Sequence, residues 1–216
     1  TGGVIPPEDV RAIADMVRER DLMILSDEIY SRIYYGEPPL SITTLPGMLE
    51  KTIILDGFSK TYAMTGWRIG YLAAPRLLAD AVRMLQEPQV SCPSAISQKA
   101  AEAALLGPRD EINAMTNAYR ERRDRGWSAI ERHGLSAFRT QGTFYMLLDI
   151  GEQALDSMGF ALRLLEDHRV AVAPGVAGAV PVVAVAIGVA GVISTNGTCA
   201  RAAATAASRL RPHPAV

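Results

Sequence analysis

Apolar and polar positions follow two rhythms along this chain, and the switches between them mark out its elements. From Pro6-Pro7 to about Arg20, Val10, Ile13, Ala14 and Val17 recur at helical spacing with charged residues between them. That is an amphipathic helix, and prolines suit its first turn, where the N–H groups lack partners in any case. Leu22 to Leu25 is a short unbroken apolar run, as in a buried parallel strand; Thr52–Leu55 and Ile69–Ala73 read as two further buried strands. Residues 36–49, rich in Pro, Gly, Ser and Thr, read as turns. From Pro75 the rhythm is helical over about 75–86, 94–106 and 108–132. The last helix carries Ile112, Met115, Tyr119 and Ile130, opens after Gly107-Pro108 and stops by Gly134. Strands near 144–150 and 170–173 and a helix near 157–168 follow.

Strands alternating with helices predict an α/β sheet covered on both faces. In such sheets ligands sit at the carboxyl ends of strands. Asp27 and the turn 56–60 both follow strands, so they are expected on one edge.

The tail breaks the pattern. From Pro174 to Ala200 no residue is charged, and Val176 to Ile193 is almost entirely Ala, Val and Gly. Such a stretch could nearly cross a bilayer, but Pro181 and its glycines interrupt it, and Ala and Gly insert weakly. Strands of a small domain are the preferred reading; a shifted reading frame in a GC-rich gene would give the same composition.

Composition narrows the class. With 49% hydrophobic and 21% charged residues over 216 positions, the chain can bury a substantial core and is not of disordered type. A net charge of −1 gives no reason to expect nucleic acid or an anionic membrane as partner. Cys92 and Cys199 do not suggest a disulfide framework, which fits a reducing cytoplasm. The opening Thr1-Gly2-Gly3 is neither an initiator methionine nor a signal peptide.

The chemistry concentrates in Asp56-Gly57-Phe58-Ser59-Lys60-Thr61-Tyr62-Ala63-Met64-Thr65-Gly66-Trp67-Arg68-Ile69-Gly70-Tyr71. One lysine sits in a small-residue turn between apolar segments, with an arginine eight positions later. A lysine held at the edge of a packed scaffold can lose its proton and attack a carbonyl. Arginine supplies a fixed fork of donors for a phosphate. Together they are what a protein needs to hold pyridoxal phosphate.

This segment resembles the lysine motif of class I/II aminotransferases, the aspartate-aminotransferase-like fold type I family of pyridoxal-phosphate enzymes. Leu25-Ser26-Asp27-Glu28-Ile29-Tyr30 resembles the family's Asp-Glu-x-Tyr element, and Thr1-Gly2-Gly3 the tail of its Asn-Pro-Thr-Gly turn. The likeness runs from residue 1 to about 175. It implies a mostly parallel sheet over 1–107, the C-terminal half of a cofactor-binding large domain. Residues 108–216 would be an interdomain helix and a smaller α+β domain, with 176–200 atypical. Because the family's chains are close to twice this length, the sequence reads as a C-terminal portion.

By resemblance, Lys60 forms the Schiff base with pyridoxal 5'-phosphate and then moves the substrate Cα proton as base and acid. Asp27 faces the pyridine nitrogen and keeps it protonated, and Tyr30 hydrogen-bonds the phenolic oxygen. Glu28 makes a structural contact. Arg68 clamps the phosphate, its flanking Trp67 and Ile69 suggesting an enclosed site. Many relatives carry a serine three positions before the lysine; here that position is Gly57, so a phosphate hydroxyl would come from Ser59 or from the half of the domain that this portion lacks. The family's carboxylate-binding arginine is expected about fifteen residues beyond Pro174-Gly175, yet 186–194 holds none, and Arg201 is the first available.

The implied activity is amino-group transfer between an L-amino acid and a 2-oxo acid, in a homodimer. Alternatives are a carbon–sulfur lyase on the same fold, and a non-catalytic fragment or regulator module. His133, His168 and His213 lack ligand spacing, so no metal is expected. Gly66 and Gly70 do not make a dinucleotide loop. The run Arg120–Arg125, interleaved with Glu121 and Asp124, reads as a solvated helix face.

Overall fold

The structure, a computed structural model, describes residues 2–151, 156–175 and 182–186. The chain forms two compact units, one of Val4–Ala114 and one of Thr1–Gly3 with Met115–Val216.

In the first unit, helix α1 (Pro7–Glu19) has proline in its first turn and Glu8 and Asp9 beside the positive end of its dipole. Its buried stripe of Val10, Ala14 and Val17 packs with Ile42 and Met48, and Ile13, Ile24, Leu40 and Leu45 complete the cluster. Four of those contributors, Leu40, Ile42, Leu45 and Met48, come from the turn-rich stretch, which forms short 3-10 turns at Ile42–Thr44 and Leu49–Lys51.

Strand β1 (Ile24–Asp27) runs parallel to β2 (Thr52–Gly57), and β2 pairs antiparallel with β3 (Gly70–Ala73). A short α-helix, α2 (Phe58–Thr61), leaves the end of β2. Helices α3 (Arg76–Val90) and α4 (Ala95–Leu106) follow, near the predicted spans.

Two strand expectations need correction. The first strand begins at Ile24 rather than Leu22, and it is not buried on both faces. Ile24 packs against the α1 cluster, whereas Leu25 is 62% exposed. Successive strand residues point to opposite faces, so a run of apolar residues does not reveal which face is covered. Likewise β3 is mostly exposed, including Tyr71.

The long helix α5 (Asp110–Arg132) spans the division between the units. In the second unit β4 (Ser136–Ala137), β5 (Tyr145–Asp149), β6 (Ala173–Pro174) and β7 (Val182–Ala186) form an antiparallel sheet of order β4-β5-β7-β6. Helix α6 (Ser157–His168) starts at Asp156, whose carboxylate accepts the Gly159 N–H at 2.6 Å, and its Phe160 and Leu164 are buried. Gly2, at φ +83, has its carbonyl accepting the Gln141 and Gly142 N–H groups at 2.8 and 3.0 Å.

The atypical tail is a strand where it is described, at Val182–Ala186. Among the described residues no helix is long and apolar enough to cross a membrane. The arginine-free window beyond Ala186, and Arg201, lie outside the described residues.

Candidate active site

Every predicted site residue lies in the first unit, at the end of the β1–β2 ladder or on the segment that joins β2 to β3. In the parallel ladder Asp27 is in register with Leu55, two residues before Gly57 and the start of the lysine helix. Beyond Asp27 the chain turns sharply: an Asp27 carboxylate oxygen accepts the Ile29 N–H at 3.1 Å, and the Glu28 N–H donates to the Leu55 carbonyl at 2.8 Å. These two bonds direct the following residues back over the end of β2. Tyr30 consequently lies with its ring centroid 5.8 Å from the Lys60 Nζ.

Glu28 has the structural role expected of it. Its carboxylate accepts the Ser41 hydroxyl at 2.6 Å and the Ser26 hydroxyl at 3.3 Å, tying the loop that follows Tyr30 back to the strand.

Lys60 belongs to α2, which has only four residues and so no stability of its own. Its setting comes from Phe58, which is buried at 3% exposure. The Phe58 N–H donates to the Ile69 carbonyl at 3.3 Å, and its own carbonyl accepts from Tyr62 and Met64. Its ring packs against Tyr62 at 5.3 Å and edge-on to Tyr71 at 5.9 Å. Lys60 and Ser59 are thereby left half-buried.

Arg68 follows a 3-10 turn at Thr65–Trp67 and adopts the left-handed conformation, φ 49 and ψ 52. Its guanidinium donates to the Thr65 carbonyl at 3.1 Å. The enclosure predicted for it does not hold: Arg68 is exposed and Trp67 is 45% exposed. The Trp67 carbonyl accepts the Ser97 hydroxyl at 2.9 Å.

Gly57 has a steric reason to be glycine. A Cβ there would lie 3.1 Å from the Gly70 Cα, 3.2 Å from the Ile29 Cδ1 and 3.3 Å from the Ile69 carbonyl oxygen. Two of these neighbours are backbone and cannot swing aside. Gly57→Ser is therefore expected to destabilise the chain by about 1–3 kcal/mol. A chemical-denaturation midpoint that rises in this variant would contradict that.

One pair near the turn went unnoticed in the sequence. Tyr71 donates its hydroxyl to an Asp56 carboxylate oxygen at 2.9 Å. Although Tyr71 as a whole is 46% exposed, partial burial of its hydroxyl, followed by this hydrogen bond, pushes that group up to about 12 from its usual 10. A raised pKa favours the protonated form in the folded state. The contribution is therefore complete below pH 10 and disappears as pH rises through 12. Alkaline absorbance titration should show one tyrosine with a midpoint near 12, absent in Tyr71→Phe and moved down in Asp56→Asn; a midpoint unmoved by Asp56→Asn would be the contrary result.

The side chains carried by these segments are an amine, a carboxylate, hydroxyls and a guanidinium, of which the Lys60 amine and the Tyr30 ring are brought together. The second Asp27 oxygen makes no hydrogen bond to a described residue and can receive an N–H from outside. This donor set fits a group bearing an aldehyde, a ring nitrogen and a phosphate. The family model for aminotransferase class I and II matches residues 1–200. The chain belongs to the class I and II aminotransferases.

Among other aminotransferases, the chain is 39% identical over 178 residues to aromatic-amino-acid aminotransferase 2 of Thermococcus litoralis, covering 81% of this chain and 46% of that protein. It is 39% identical over 180 residues to aspartate aminotransferase of Musicola paradisiaca, covering 82% and 45%. In structure it resembles the aromatic aminotransferase of Pyrococcus horikoshii with a TM-score of 0.86 at 34% identity, covering 97% of this chain and 56% of that one. The chain thus spans about half the length of the curated relatives it matches. These aminotransferase relatives establish the fold type I α/β class for this chain.

Proposed function

We propose that this chain carries the lysine-bearing part of a pyridoxal 5'-phosphate site serving amino-group transfer between an L-amino acid and a 2-oxo acid. The observation that carries the reading is the 5.8 Å approach of the Lys60 Nζ to the Tyr30 ring at the end of paired strands, in a chain of the aminotransferase family. When bound, pyridoxal 5'-phosphate supplies a carbon that exchanges amino groups and a ring that accepts electron density from the substrate carbon.

Each residue then has a task. Lys60 holds the cofactor at rest, and its freed amine takes the proton from the substrate Cα and hands it on, as base and then as acid. Asp27 holds a proton on the ring nitrogen through its spare carboxylate oxygen. Tyr30 donates to the phenolic oxygen, and Ser59 and Arg68 serve the phosphate. Among the described residues the guanidinium donates to the Thr65 carbonyl of its own turn, which leaves it donors for that purpose.

A homodimer and a cytoplasmic location accompany this proposal. The dimer rests on the family, and the location accords with the free, exposed thiol of Cys92.

The carbon–sulfur lyase reading is separated by incubation with amino acids. Transfer requires a 2-oxo acid as acceptor and yields its amino counterpart. Release of ammonia and pyruvate without any 2-oxo acid would favour the lyase.

A further inference from the structure

Lys60, Asp27, Tyr30, Ser59 and Arg68 leave one polar pair beside the lysine turn without a task. Asp56 of β2 lies directly opposite Tyr71 of β3, and opposite residues of an antiparallel pair share a face. One Asp56 oxygen accepts the Tyr71 hydroxyl at 2.9 Å; the other accepts the Gly57 N–H at 2.6 Å. The same carboxylate therefore ties β3 on one side and, on the other, the backbone from which α2 starts. The Tyr71 ring meanwhile stands edge-on to Phe58, the buried residue under the lysine turn.

We propose that Asp56 and Tyr71 are positioning residues for Lys60, a latch that fixes the strand-to-helix turn and so keeps the lysine amine beside Tyr30. The inference rests on the proposed role of Lys60. Two features support it. A four-residue helix takes its orientation from outside contacts, and the latch supplies one beside the Phe58–Ile69 backbone bond. The Tyr71 hydroxyl also retains its proton well into the alkaline range, so the latch remains closed where a lysine amine would react.

Tyr71→Phe tests this, since it keeps the ring against Phe58 and removes only the hydroxyl. The first readout needs no cofactor: amide hydrogen exchange of the peptide 57–62, compared with peptides from α1 and α6. Loss of one such bond should speed exchange in 57–62 by about 2–10-fold, with α1 and α6 unchanged, and Asp56→Asn should act in the same direction. Unchanged exchange in 57–62, or acceleration spread equally over all three regions, overturns the proposal.

The second readout uses pyridoxal phosphate and borohydride, followed by peptide mapping. The chain has three lysines, Lys51, Lys60 and Lys99, and in Tyr71→Phe the share of adduct on Lys60 should fall. An undiminished share overturns the latch. A wild-type chain with no adduct on Lys60 overturns the functional reading instead, and the exchange readout still decides whether the pair holds the turn.

Discussion

Lys60→Ala is expected to lower amino-group transfer by at least about 10³-fold, assayed in this chain or in a longer product containing it. On the proposed reading, the substitution removes the amine that would both hold the cofactor and move the Cα proton. No other lysine can take its place by a small shift. Lys51 donates to Asp21 at 2.5 Å and Lys99 to Glu102 at 2.7 Å, each engaged at its own place on the surface. The fold should tolerate the change. Lys60 is half-buried, and its approach to the Tyr30 ring is worth about 0.5–1 kcal/mol. Thermal unfolding close to wild type together with lost transfer is therefore the predicted pattern. Transfer retained within about tenfold would contradict the assignment of Lys60.

Phe58→Ala is expected to have the largest effect on stability near the site, about 3–5 kcal/mol. A typical domain has only about 5–15 kcal/mol in total, so this one change would consume much of the margin. The ring is 3% exposed and lies between Tyr62 and Tyr71. Removing it leaves a void directly beneath α2, and the residue that anchors the lysine turn loses its packing while keeping its backbone bonds. Denaturant unfolding should show the loss, and Phe58→Leu should recover part of it because it refills most of the volume. A loss below about 1 kcal/mol in Phe58→Ala would mean that the backbone bonds alone hold the turn.

Much of this arrangement can be read from local sequence. The stripe of Val10, Ala14 and Val17 identifies α1 because helical spacing and one-sided burial are the same fact. The lysine site is similarly local. Residues 56–71 contain the end of one strand, the α2 turn, a 3-10 turn and the start of the next strand, in one continuous segment. What could not be read depends on contacts between distant residues. Leu25 sits in an apolar run that suggests burial on both faces, yet its side chain is largely exposed. Ile42 and Met48 lie in a stretch whose turn residues conceal its contribution to the core. Both members of the Asp56–Tyr71 pair stand in the motif, but only the antiparallel register reveals that they face each other. Trp67 reads as the wall of a pocket because it is large and apolar, yet it is 45% exposed.

The central claim is that Lys60 is the lysine that holds pyridoxal phosphate. The most direct measurement is the visible absorption spectrum of the purified chain mixed with that cofactor, followed by borohydride reduction and peptide mass mapping. The account predicts a new absorption band and a reduced adduct on Lys60, with Lys51 and Lys99 largely unmodified. No band, or adduct shared evenly among the three lysines, would contradict it.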